Sequence, residues 1–267
     1  MMRPMHAPVP QIIEPDLLLL AYRSGIFPMA DARDDPEICW VEPRRRAILP
    51  LDGFRCSRSL ARTLRRGRFS VTCNADFAAV MQACAGPRGE SGETWISHRI
   101  EASYRALHAM GLAHSIECWQ DGALVGGLYG VGFDRVFCGE SMFSRVPDAS
   151  KVALAWLVAA LRRGGAELLD CQFMTDHLAS LGAIEISQAR YLTLLKAAQR
   201  STEGAAALAG AALGAGDGVA AGDAEGEGEA EGLALPAAFG ALLGDAELAG
   251  LSSSPGNFIA QSLTQTS

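Results

Sequence analysis

The segment that most constrains this chain is a helix with almost no polar face. From Ala149 to Arg163 the apolar residues are nearly continuous, Asp148 supplies an N-cap, and Gly164-Gly165 supplies a stop. Such a pattern reads as one buried helix. An apolar, β-favouring run from Val136 to Phe143 precedes it, so residues 137–151 mark a change from strand to helix. The first amides of that helix are expected to face Glu140 and Ser141, a geometry suited to an oxygen-rich group such as a carbonyl or phosphate. An ordinary strand-turn-helix connection is the other reading.

Charge divides the chain. The net charge is −7, but residues 201–267 hold nine acids and no Lys or Arg. Subtracting those nine leaves 21 acids against all 23 bases in residues 1–200, a balance of +2. The folded part is therefore mildly basic, and the acidity is expected in a disordered Ala/Gly/Glu-rich tail over 201–267, with only a short apolar segment around Leu233–Leu251. No apolar run reaches membrane-spanning length and the start lacks a signal pattern, so a soluble, cytoplasmic protein with no membrane partner is expected. Seven cysteines without a C-x-x-C pair, five histidines without ligand spacing, and no phosphate loop imply neither metal nor cofactor.

Along the chain, residues 1–11 read as a loose lead-in, 15–24 as a short helix ended by Gly25, and 47–51 as a strand. Ile26-Phe27-Pro28-Met29 either covers a core or rims a groove. Between Arg58 and Arg68 five arginines fall within eleven residues, with Leu60 and Leu64 on one helical face and Arg58, Arg62, Arg65 and Arg66 over the other. A solvated face and a phosphate-binding patch, joined by Arg44–Arg46 and Arg55, are both open. A strand at 69–73, a helix at 76–84 and a loop at 86–92 follow. A longer amphipathic helix carries Ile100, Tyr104, Leu107 and Met110. Three strands at 114–119, 124–131 and 136–143 form a meander, and the buried helix leads to a strand at 167–173 and helices at 176–181 and 187–199. This is an α+β, mixed-sheet order. The expected units are 1–55 as a small N-terminal α/β domain, 56–200 as the main domain and 201–267 as the tail.

Strand Leu168–Phe173 carries the chemistry candidates. Asp170 is an acid inside an apolar strand, with Gln172 on the same face by alternation. Burying it requires hydrogen bonds or a catalytic role; it can take a proton from, or orient, an amine attacking a carbonyl, or it can bind a loop amide structurally. Cys171 with His177 is a weaker thiol-base candidate, since buried strand cysteines are commonly inert.

With those residues in view, the chain closely resembles the leucyl/phenylalanyl-tRNA–protein transferases over about residues 15–196. The resemblance rests on several motifs in order, among them Gly25-Ile-Phe-Pro28, Ser57-Arg-Ser59, Thr94-Trp-Ile96, Leu124-Val-Gly-Gly127, Gly139-Glu-Ser-Met-Phe143, Ala149-Ser-Lys151, Asp170-Cys-Gln172 and Ser180-Leu-Gly-Ala183. It implies a main domain like the N-acetyltransferase (GNAT) fold and a reaction moving Leu or Phe from aminoacyl-tRNA to the α-amine of proteins that begin with Arg or Lys, marking them for N-degron proteolysis. It further implies Asp170 as the acid acting on that amine and Gln172 as its relay partner. Leu128, Phe137, Glu140, Leu154, Leu157 and Leu169 match the side-chain pocket. Trp95 matches an aromatic stacking on the terminal adenine, Met29 stands where some members place a tryptophan for the other face, and Arg58, Arg62, Arg65 and Arg66 match a tRNA patch. For Phe137 and Glu140 to share one pocket, a bulge at Gly139 is required. A monomer without cofactor is expected; an acyl-CoA N-acetyltransferase and a non-catalytic tRNA-binding module are the alternatives.

Overall fold

The computed structural model describes residues 12–86, 94–199 and 233–264. The lead-in at 1–11, most of the loop at 86–92 and the stretch 200–232 lie outside them. The central sheet has seven strands in the order β4 (Ser70–Cys73), β5 (Ala113–Gln120), β6 (Ala123–Phe133), β7 (Val136–Ser144), β8 (Leu168–Gln172), β3 (Arg45–Ile48) and β9 (Ile184–Ser187). Neighbours are antiparallel except β7 and β8. That one parallel pair requires a crossover, which is α5 (Ala149–Arg163). Asp121 and Gly122 both have positive φ, 52° and 75°, and turn β5 into β6 as an Asp-Gly pair does in a hairpin. The fold is the α+β, mixed-sheet class expected.

At the N-terminus, α1 (Pro15–Arg23) precedes a separate two-stranded sheet of β1 (Phe27–Met29) and β2 (Cys39–Val41). The boundary expected at residue 55 lies too late for the sheet: β3 sits between β8 and β9. Its burial agrees, since Arg46, Ala47 and Ile48 in succession are buried, as in a strand covered on both faces, and only Arg45 at its start is exposed, pairing with Glu185 at 2.8 Å.

Successive sheet residues face two cores. Leu128, Phe137 and Leu169 join the core around α5, while Tyr129, Val136 and Leu168 join a second one with α1, α3 (Phe77–Cys84), α4 (His98–Ala109) and α7 (188–199). Twelve residues of α5 are buried. The sheet covers one side of it. The other side is covered by α2 (Arg58–Arg65) and by two C-terminal helices, α8 (Leu235–Leu248) and α9 (Pro255–Thr264).

Helix α8 falls in the apolar segment set apart at Leu233–Leu251, while α9 corrects the expectation of a disordered tail beyond it. Leu235, Phe239, Leu242, Ile259 and Leu263 are all in the α5 core, and the Phe239 ring lies 5.2 Å from that of Trp156. Two smaller expectations also change. Asp148 has φ 71° and makes no cap; it takes Lys151 and Thr63 instead, at 3.3 and 3.4 Å. The Ser150 amide donates to Ser144 Oγ at 3.3 Å, so Ser144, not Glu140 or Ser141, receives the start of the helix. Met110 is the C-cap of α4 and 54% exposed, outside the apolar stripe assigned to it.

Candidate active site

The site lies where β7 and β8 separate. Their pairing runs through Val136 with Leu168, Phe137 with Leu169 and Cys138 with Asp170. Beyond that pair each strand carries an extra residue. On β7, Tyr129 faces Ser141 while Gly130 faces Gly139, leaving Glu140 as the bulged residue, next to the glycine where the sequence required one. On β8, Ala47 faces Gln172 while Ile48 faces Asp170, leaving Cys171 extra, and Gln172 takes φ 56°. Across the opening, Gln172 Nε2 donates to Glu140 Oε1 at 2.9 Å.

A cavity of about 240 Å³ fills the gap. Its hydrocarbon walls come from Leu128 on β6, Met142 on β7, Leu154 and Leu157 on α5, and Leu169 on β8, and the opposed strands contribute Glu140 and Ser141 from β7 and Gln172 from β8 as polar groups. Five of the six residues expected in the pocket are there. Phe137 is not: it is fully buried in the α5 core, and a Cβ on Gly130 would sit 2.5 Å from its ring. The β7 bulge turns Glu140 into the cavity without bringing Phe137 with it. A second cleft of about 60 Å³ is lined by Phe27 and Met29 from β1 together with Trp95, Phe173, Glu140 and Gln172. Trp95, Glu140, Gln172 and Phe173 line both spaces. The two therefore meet at the Glu140–Gln172 hydrogen bond.

Asp170 stands behind this junction, outside both linings. It is fully buried and held by Arg46, whose Nε and Nη2 donate at 2.9 and 2.6 Å. The Tyr191 hydroxyl donates at 3.0 Å and the Gln172 amide at 2.9 Å. Arg46 is sandwiched between the rings of Phe27 and Tyr191, 4.7 and 4.5 Å away, and donates to the Gly25 carbonyl at 3.1 Å. With its oxygens so occupied, Asp170 fixes the left-handed turn at Gln172, a conformation unfavourable for a residue with a Cβ. Arg46 was counted with the basic patch. The structure buries it as a counter-ion.

Glu140 is in a different setting. Apart from Gln172, it accepts from the Tyr104 hydroxyl at 3.1 Å, and Tyr104 is hydrogen-bonded to Tyr22. Burial holds both phenols well above their ordinary range, so they remain donors. Burial also pushes the Glu140 carboxyl up to about 7; the Tyr22 and Tyr104 hydroxyls and Arg46 oppose the push and the Asp170 charge adds to it. Glu140 is thus a carboxyl able to exchange a proton near neutral pH.

Cys171 and His177 both line the larger cavity. Burial raises the Cys171 thiol far above neutrality and lowers His177, so this pair supplies neither a thiolate nor an imidazolium. Arg58, Arg62, Arg65 and Arg66 line a groove on the far side of α2, apart from the cavity. The sequence had missed Tyr22, Tyr104 and Tyr191, the three hydroxyls around the two carboxylates. Only Tyr104 had a signal, as the one polar-tipped member of an apolar stripe.

These features match a known family. A model described as leucyl/phenylalanyl-tRNA protein transferase matches residues 48–196, and one described as its N-terminal domain matches residues 12–44. The chain belongs to this family. A leucyl/phenylalanyl-tRNA–protein transferase of Novosphingobium aromaticivorans is 67% identical over 261 residues, covering 97% of this chain and 98% of that protein. One of Rhizorhabdus wittichii is 59% identical over 198 residues, 74% of this chain and 80% of that protein, and one of Zymomonas mobilis is 58% identical over 190 residues, 71% of each. Among the described residues no helix is long and apolar enough to cross a membrane.

Proposed function

We propose that the enzyme transfers leucine or phenylalanine from aminoacyl-tRNA to the N-terminal α-amine of proteins, forming a peptide bond. One observation carries this reading: an apolar cavity and an aromatic cleft share a polar junction at Glu140 and Gln172. A 3′-aminoacyl-adenosine has the same order of parts, an apolar side chain, an ester and a flat base. The side chain enters the cavity among Leu128, Leu154, Leu157 and Leu169. The adenine stacks on Trp95, with Phe27 and Met29 supplying the other wall of the cleft.

The ester then lies at the junction. The acceptor amine attacks its carbonyl carbon, the C–O bond to the ribose breaks, and the ribose oxygen leaves with a proton. The ester is already activated, so alignment and stabilisation of the developing oxyanion carry most of the rate. Gln172 orients the reacting groups, and Glu140 accepts the proton that the amine gives up and passes it to the departing ribose oxygen. Asp170 is a positioning residue that sets Gln172 through its main chain and Arg46. Acceptors beginning with Arg or Lys, labelled thereby for N-degron proteolysis, a cytoplasmic setting and a monomeric enzyme complete the proposal, on the strength of the family resemblance. Arg58, Arg62 and Arg65 of α2, with Arg66 at its end, contact tRNA phosphates.

The test is to incubate the protein with radiolabelled leucyl-tRNA and a peptide that starts with Arg. Label on the peptide supports transfer. Bound tRNA without transfer returns the chain to an RNA-binding module, and acetylation of the peptide from acetyl-CoA returns it to an N-acetyltransferase.

A further inference from the structure

We propose that the C-terminal helix α9 is a second wall of the tRNA-docking groove whose first wall is the arginine face of α2. The inference rests on the tRNA-dependent reading above and adds a partner element to it. The groove has a volume of about 440 Å³, with Arg58, Arg62, Arg65 and Arg66 on one side and Thr264 of α9 on the other. Among the described residues none of these four arginines is in an ion pair. Four uncompensated cations so close together repel one another, and a polyanion relieves that repulsion.

The distribution of acids in the tail fits this use. All nine acids of residues 201–267 precede Leu248, and the stretch 248–267, which includes α9, has none. Of the two acids on α8, Asp245 is paired with Arg163 at 2.9 Å. An otherwise acidic segment therefore presents an uncharged face to the arginine helix.

The contact is close and specific to this face. A Cβ on Gly256 would lie 2.3 Å from the Leu64 carbonyl oxygen, so α9 crosses α2 nearly backbone to backbone. Ser254 Oγ donates to the Arg65 carbonyl at 3.3 Å, and Ile259 and Leu263 share a core with Leu60 and Leu64. Through these contacts α9 holds the last turn of α2, where Arg62 and Arg65 lie.

Charge placed on α9 tests the proposal without disturbing its core. Thr264 is exposed, so Thr264→Glu is expected to weaken tRNA binding about three- to tenfold and Thr264→Lys to tighten it, with the slope against log salt changing by about one in opposite directions. Leu248→Glu, on the outer end of α8 at 90% exposure and off the groove, should leave binding unchanged. Gly256→Ala pushes α9 away from the Leu64 carbonyl and should lower the melting temperature and weaken binding together, while turnover per folded molecule at saturating aminoacyl-tRNA is kept. Arg62→Ala with Arg65→Ala is measured in parallel. If that pair weakens binding and both Thr264 variants bind like the parent, α9 is no part of the surface and the proposal is overturned. If the arginine pair also binds normally, the tRNA role of α2 falls with it, while the peptide-labelling assay independently reports whether transfer occurs.

Discussion

Asp170 and Glu140 lie on the neighbouring strands β8 and β7, and both bond to Gln172, yet they are built for opposite purposes. Asp170 has a buried guanidinium at 2.6 Å, a hydroxyl and an amide on its oxygens. Glu140 has neutral donors, the Gln172 amide and the Tyr104 phenol at 2.9 and 3.1 Å, with the Tyr22 hydroxyl beside them. A buried carboxylate with a full counter-ion is fixed in place by it. One held by neutral groups keeps the burial penalty on its charged form, and its proton becomes exchangeable near neutrality. The difference separates a residue that positions from one that moves a proton, a distinction that strand alternation alone does not make.

The comparison is broken most directly by neutralising each acid. Asp170→Asn leaves the Arg46 charge buried against an amide, and is expected to lower unfolding stability by about 3–5 kcal/mol in a denaturant titration. Replacing both partners, Arg46→Met with Asp170→Leu, should restore much of that stability but not turnover, because the Gln172 turn loses its anchor. An Asp170→Asn protein as stable as the parent would show that the pair contributes nothing to the fold. Glu140→Gln should behave in the reverse way: stability near pH 6 kept within about 1 kcal/mol, turnover reduced by about 10²–10³-fold. Gln172→Ala should not add to that loss, since both groups serve one hydrogen bond.

The pH dependence sharpens the same contrast. The Glu140 pKa is raised on folding, from an unfolded value of about 4.3 to about 7. Between those values the native state holds a proton that the unfolded state has lost. The stability from Glu140 is thus fully present below about pH 4.3 and is lost as pH rises through about 7, by on the order of 3 kcal/mol. Turnover moves the other way, because the proton acceptor is the carboxylate, and should rise with pH through about 7. In Glu140→Gln the stability slope and the rising limb should both vanish. A parent enzyme with flat stability between pH 5 and 8 would refute the assignment.

What the sequence revealed and what it concealed follow from the range of the interactions. Helix α5 and the meander were legible because a long apolar run, its Gly164-Gly165 stop and strand alternation are local, although the cap read at Asp148 is not made. The bulge was legible as a requirement, since alternation forbids Phe137 and Glu140 from sharing a face, though only the register of β6 decides that Glu140 enters the pocket and Phe137 remains in the core. Arg46 was not legible as the partner of Asp170, 124 residues away. Helix α9 was missed, and the segment of α8 left without a partner, for a different reason. Tail composition is dominated by Ala, Gly and acids, while the apolar residues Leu235, Phe239, Leu242, Ile259 and Leu263 are few and lie on two short helices. The warning lay elsewhere, in α5 itself: a helix apolar on all sides needs a cover on the face away from the sheet.

That cover gives an intermediate prediction. Phe239→Ala removes the ring against Trp156 and should lower stability by about 3 kcal/mol. Turnover per folded molecule should be kept, since neither ring lines the cavity. Loss of turnover without loss of stability would instead tie the appendage to the chemistry.

The smallest effect concerns which amino acid the pocket prefers. Leu157 is a fully enclosed wall residue on α5, in the cavity with Leu154 and Leu169. Shortening it to Ala opens space for a phenylalanyl ring and removes contact from a leucyl side chain. A hydrophobic pocket discriminates by only about 1–3 kcal/mol for a group of this size, so Leu157→Ala is expected to shift the ratio of kcat/KM for Phe over Leu by about tenfold. The neighbouring Glu140–Gln172 bond is left intact, so kcat for the favoured substrate should fall little. Competition between phenylalanyl- and leucyl-tRNA in one reaction reads the ratio directly and cancels differences in the amount of folded enzyme. An unchanged ratio would mean that the side chain enters elsewhere, and with it the assignment of the apolar cavity would fail even if Glu140 and Asp170 behave as described.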